Sequence, residues 1–246
     1  MDLREKVALV TGGGRRVGRA LALALGERGA TVAVHHHESF AGAAEVVQAV
    51  VRGGSRARAF GAQLTRHEAP AELVRQVVDA FGRLDVLINS AAIMVRTPFG
   101  EVDAESWDRM FALNLRAPFF LSQAAAPHLR QARGAIVNIA DLAAYETWPG
   151  YIPHGLTKGG VVQMTRSLAR VLAPEVRVNA IAPGTVLLPD DWSQADAARL
   201  AETTPLGRSG TPADVVAAML YLLDAEYVTG ETIVVDGGRH VRSTTT

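Results

Sequence analysis

Tyr151, His154 and Lys158 fall within the octet Y-I-P-H-G-L-T-K. Pro153 suits the first turn of a helix, where a missing N–H costs nothing. On that helix His154 and Lys158 are four residues apart and share a face. Tyr151 lies one turn earlier and can approach the same cleft. Asp141 stands thirteen residues before His154, at the end of the apolar run 135–140. A carboxylate, an imidazole and an ammonium can therefore meet where a strand gives way to a helix. That is equipment for proton transfer, since imidazole titrates near neutrality.

A second group lies near the N-terminus. The apolar run 6–10 leads into T-G-G-G-R-R-V-G, and a helical pattern follows over 20–28. Strand, glycine turn and helix together cradle a pyrophosphate, because glycine lets backbone N–H groups approach the phosphates closely. Further strands are expected at 31–35, 57–61, 84–89, 135–140, 176–182 and 232–236. Helical patterns lie at 39–51, 68–81, 104–129, 154–172 and 213–223. Strand and helix alternate, and several strands are apolar throughout. This predicts one α/β domain over 1–246, a doubly wound parallel sheet of about seven strands with helices on both faces. The stretch 185–205, with Pro189, Asp190, Asp191 and Trp192, breaks the rhythm and reads as a mobile flap. In such sheets ligands bind at the carboxyl ends of the strands. Thr11, His36, Gln63, Asn89, Asp141 and the segment after Pro183 fall there, which makes a dinucleotide site.

Composition narrows the partners. The chain has 246 residues, no cysteine and no net charge, and is 48% hydrophobic. One substantial core is available. A thiolate nucleophile is excluded, and nucleic acid or an anionic membrane is disfavoured as the main partner. No apolar run is long enough to cross a bilayer, and the N-terminus lacks a signal-peptide pattern, so a cytoplasmic protein is expected. In the run His35-His36-His37, alternate strand residues face opposite ways, so no metal site is expected.

These motifs together resemble the short-chain dehydrogenase/reductase family over essentially the whole chain. The resembling pieces are T-G-G-G-R-R-V-G, I-N-S-A-A at 88–92, Asn114 in A-L-N-L, V-N-I-A-D ending at Asp141, Lys158, R-V-N-A-I-A-P-G at 177–184 and V-T-G-E-T-I-V-V-D-G-G at 228–238. Within the family the pattern is similar to pteridine and dihydromonapterin reductases, in Arg16 and in Asp141. The resemblance implies a Rossmann-type fold and hydride transfer from a nicotinamide to a carbonyl or imine carbon. It implies cofactor contacts from Gly12, Arg15, Arg16, Val17 and Gly18 in the turn. Others come from His36, His37 and Ser39, from Gln63 and Leu64, from Asn89, Ser90 and Ala91, and from Pro183, Gly184 and Val186. Lys158 would hold the nicotinamide ribose, Asn114 would support a water-linked proton path, and Asp141 would orient the donor or substrate. Homotetramers or homodimers formed through the helical stretches 104–129 and 154–172 are also implied.

The family's proton-donating tyrosine has no counterpart here, because His154 occupies its place. Three readings are open. His154 is the working acid; or Tyr151, Asp141 or a water donates; or catalysis is lost and only nucleotide binding remains. An imidazole reaches roughly 2 Å less far than a phenol, and about 1 Å of misplacement can cost on the order of a hundredfold. Met94 stands where pteridine reductases carry a ring-stacking aromatic residue, and Trp192 is a candidate cover for the substrate. The substrate is thus a small carbonyl or imine compound, pterin-like or a general ketone such as a 3-oxoacyl group. NADP is favoured over NAD. His36 is not acidic, and Arg15 and Arg16 suit a 2′-phosphate as forks. Glu38 argues the other way, as a ribose carboxylate.

Overall fold

The apolar runs pair into one parallel sheet in the computed structural model, which describes residues 1–187, 193–202 and 204–241. The strands are β1 (Val7–Val10), β2 (Thr31–His36), β3 (Ala57–Gly61), β4 (Val86–Asn89), β5 (Ala135–Ile139), β6 (Arg177–Pro183) and β7 (Thr232–Val235). Their order across the sheet is β3-β2-β1-β4-β5-β6-β7. The chain winds outward from β1 through β2 to β3, then crosses to β4 and winds the other way. A crevice must open between β1 and β4 at their carboxyl ends, where the winding reverses.

Eight helices cover the faces among the described residues: α1 (Arg16–Glu27), α2 (Phe40–Arg52), α3 (Ala69–Phe81), α4 (Ala104–Phe111), α5 (Ala117–Ala132), α6 (Ile152–Leu172), α7 (Gln194–Glu202) and α8 (Pro212–Asp224). Side chains alternate along β1. Ala8 and Val10 face a core with Leu21, Leu25, Val46 and Met219 of α1, α2 and α8. Val7 and Leu9 face the opposite core, with Leu73, Val77, Leu121 and Leu129 of α3 and α5. β1 is buried from both sides, which is why it lacks a polar face. Each fully buried leucine in these layers contributes about 1.5–3 kcal/mol.

One expectation is corrected. The stretch 104–129 is not one helix, because a π-helical turn at Ala112–Arg116 separates α4 from α5. Pro118 lacks the amide that an α-helix would aim at the Asn114 carbonyl. The hydrogen bonds slip a step, and Ala117 N–H bonds to Ala112 O. Within the stretch 185–205, expected to be a flap, the described residues include α7. Pro189, Asp190, Asp191 and Trp192, the last expected to cover the substrate, lie outside the described residues.

Several motif residues serve the fold. Arg177 donates to the carbonyls of Leu222, Leu223 and Ala225 at 2.6–3.0 Å. It thereby satisfies the orphaned carbonyls that end α8. Asn179 donates to Val228 O at 2.9 Å and accepts from Glu231 N at 3.1 Å, fixing the approach to β7.

Candidate active site

The crevice beside β1 and β4 is one continuous cavity of about 1000 Å³. One end is built by the glycine turn. Gly12 sits at φ +65°, a conformation that favours glycine. Its N–H donates to Nδ1 of His35 at 3.1 Å. The other ring nitrogen of His35 must then carry the proton, and it donates to Ala62 O at 3.0 Å. This buried imidazole ties the turn after β1 to the segment after β3. Burial pulls its pKa from 6.5 down to about 4, against the bond to Ala62, which raises it. Thr11 adds a second tie, its hydroxyl accepting from Ser90 N and Ala91 N at 2.9 and 3.0 Å.

No acidic residue occupies the first turn of α1, and no side chain caps it. Its leading N–H groups and positive dipole end therefore suit an anion. Arg15, Arg16, Val17 and Gly18 line the cavity here, as do His36, His37 and Ser39 after β2. Gln63, Leu64, Ser90 and Ala91 line its floor, and Lys158, Pro183, Gly184 and Val186 its far wall. A glycine turn, an uncapped helix start and two arginines form a donor set that fits a dinucleotide phosphate.

Asn89 departs from the expected arrangement. Its side chain turns inside the protein, donating to Asn138 Oδ1 at 2.8 Å and Ser122 Oγ at 3.3 Å. It does not line the cavity, and its role is to cross-link β4, β5 and α5.

At the other end the acid–base group assembles. His154 is 2% exposed. Its Nδ1 is 3.3 Å from Ile93 O. A carbonyl can only accept, so Nδ1 carries a proton and Nε2 is the ring nitrogen left over. Nε2 has no hydrogen-bond partner, and Asp141 Oδ2 lies 3.6 Å away. Asp141 is itself anchored, accepting from Ala143 N at 2.8 Å. Lys158 donates to Ile139 O at 2.9 Å. Burial lowers its pKa, and the Asp141 carboxylate opposes that shift.

Asn114 stands behind this group rather than in the cavity wall. Its amide closes on both sides of Ile93, accepting from N and donating to O, each at 2.9 Å. It also donates to Thr157 Oγ1 at 3.2 Å. Asn114 thus holds the carbonyl that fixes the His154 tautomer. The π-helical turn carries it there, and such turns often mark functional sites.

Met94 and Tyr151 line the mouth, joined by Arg96, Arg109, Trp148 and Arg239, none of which the sequence marked as site residues. The Tyr151 and Trp148 rings meet edge to face at 6.2 Å. Among the described residues, no cluster of three or more His, Asp or Glu side chains is placed to hold a metal.

Fold and cavity together define a dinucleotide-dependent oxidoreductase. The chain belongs to the short-chain dehydrogenase/reductase family, and residues 13–240 match the family model described as enoyl-(acyl carrier protein) reductase. A 3-oxoacyl-[acyl-carrier-protein] reductase of Synechocystis sp. is 35% identical, with 96% of this chain and 97% of the relative aligned. Among solved structures, a short-chain dehydrogenase/reductase from Serratia marcescens is 32% identical, with a TM-score of 0.92 over 98% of this chain and 100% of that one. The angucycline C-6 ketoreductase LanV, solved with bound NADP, is 31% identical, with a TM-score of 0.91 over 98% of each chain. No helix among the described residues is long and apolar enough to cross a membrane.

Proposed function

We propose that this chain is an NADPH-dependent reductase of a small ketone, with His154 in the proton donor's place. The observation that carries this reading is the buried His154 ring. Nδ1 is committed to Ile93 O, and Nε2 is unpartnered beside a carboxylate. When bound, the nicotinamide supplies a hydride to the carbonyl carbon. His154 gives the Nε2 proton to the carbonyl oxygen. Asp141 stabilises the charged ring before the transfer. Lys158 uses the protons not held by Ile139 O to bind the ribose hydroxyls and re-charge the site. Tyr151, at the helix entrance, orients the substrate beside Trp148.

Arg15 and Arg16 support NADP. Glu38 is the competing carboxylate, but it lies beside His37 at 3.6 Å on an exposed surface. LanV, solved with NADP, supports the same choice. Met94 presents a thioether rather than a ring, so we assign a ketone, not a pterin, as the substrate class. Phe119 and Phe120 of α5 are each 40% exposed, which supports self-association through that helix.

The test is NADPH consumption by the purified protein with a panel of ketones and dihydropterins, alongside Lys158→Ala. Ketone-dependent consumption that disappears in Lys158→Ala is expected. NADPH binding without turnover of any compound would overturn the reductase reading and leave a binding protein.

A further inference from the structure

The whole chain balances 25 basic against 25 acidic residues. The cavity wall does not: six cations, Arg15, Arg16, Arg96, Arg109, Lys158 and Arg239, face two carboxylates, Glu38 and Asp141. A dinucleotide accounts for Arg15, Arg16 and Lys158. Arg96, Arg109 and Arg239 line the same cavity, and among the described residues Asp141 and Glu38 are the only carboxylates in its wall.

Arg239 is already neutralised. It pairs with Glu146 through Nε at 3.2 Å and through its terminal nitrogen at 3.1 Å. Its guanidinium lies 5.8 Å from the Trp148 ring centre. Arg96 and Arg109 differ: neither side chain has a hydrogen-bond or ion-pair partner among the described residues. They come from separate elements, the loop after β4 and the last turn of α4.

Arg96 is nevertheless placed. Thr97 N–H donates to Gly150 O at 2.8 Å, which ties its loop to the entrance of α6. Arg96 then lies across Gly150, where an added Cβ would stand 3.4 Å from its Nε. The Arg96 side chain therefore packs in van der Waals contact over Gly150. Two guanidiniums in one cavity, unpaired among the described residues, add positive potential to it. Each presents the planar fork that suits a carboxylate or phosphate.

We propose that the substrate is an anionic ketone, held at its carboxylate or phosphate by Arg96 and Arg109 while its carbonyl meets His154. This rests on the reductase reading for the chemistry but not for the binding. Both guanidiniums are exposed, so solvent weakens the pair, and about tenfold selectivity is expected rather than the larger effect of a buried pair.

The experiment compares 4-acetylbenzoate with its methyl ester, which carry the same ketone with and without the charge. Two quantities are read: kcat/KM with NADPH, and the affinity of NADP-loaded protein for each compound by calorimetry. The parent is expected to favour the acid by about tenfold in both, and less so as salt rises. In Arg96→Gln/Arg109→Gln the acid-to-ester ratio is expected to fall toward one. An Arg-dependent preference in binding, with neither compound reduced, would sustain the anion site and count against reduction of this ketone, leaving the reductase reading to the ketone and dihydropterin panel. Equal handling of acid and ester by the parent would overturn the proposal, whether or not either is reduced. So would a preference that survives in the double variant.

Discussion

Protonating His35 breaks the bond that Gly12 N–H donates to its Nδ1, so acid should loosen the glycine turn and the fold together. The ring is 2% exposed, so little solvent screening softens the effect. Its folded pKa of about 4 lies below the ordinary 6.5. The unfolded chain therefore binds this proton first, and stability rises with pH between those values. The contribution is complete above pH 6.5 and lost as pH falls toward 4. At about 1.4 kcal/mol per pH unit, the gap amounts to about 3 kcal/mol, most of it gone by pH 4.5. The assay is urea unfolding of the parent and His35→Asn at pH 7.5 and 4.5. An asparagine oxygen can accept from Gly12 N without titrating. The remaining ionisable residues are the same in both proteins, so the comparison isolates the change at residue 35. The parent should lose roughly 2–3 kcal/mol more than the variant over this interval. Equal losses would refute the reasoning, because they would show that this ring carries no proton linkage.

Two further outcomes follow from buried polar groups. Asp85 is fully buried, accepting from Val7 N at 2.9 Å and gripping Arg83 at 2.6–2.7 Å. Asp85→Ala should lower unfolding free energy by about 3 kcal/mol in urea titrations, with little change in cofactor affinity. Asn114→Ala should free the Ile93 carbonyl and let the His154 ring turn. A fall in kcat of about tenfold is expected, with KM for NADPH nearly unchanged, in steady-state kinetics at fixed ketone.

The sheet was legible because each strand's residues alternate between two apolar cores, which leaves a run like V-A-L-V without polar positions. The proximity of Asp141, His154 and Lys158 was legible too, since it needs only one strand end and one helix face. Contacts made at a distance were not legible. Asn89 belongs to the same motif as cavity-lining Ser90 and Ala91, yet it turns toward Asn138 because strand residues alternate sides. His35 looked like one of three equivalent strand-end histidines until Gly12 and Ala62 were found on its two nitrogens. Pro118 could have marked the π-helical turn, because it removes the amide four residues beyond Asn114. Arg96 and Arg109 carry no local signal, and only the tertiary fold brings them to one cavity.

The central claim is that the proton at the carbonyl oxygen comes from His154 Nε2. The most direct test is the rate of NADPH-dependent ketone reduction by the parent and by His154→Ala, with NADPH binding measured in both. The account predicts a loss of about a hundredfold or more in kcat with NADPH still bound, as expected for removing a general acid. A variant that reduces the ketone at the parent's rate would contradict it.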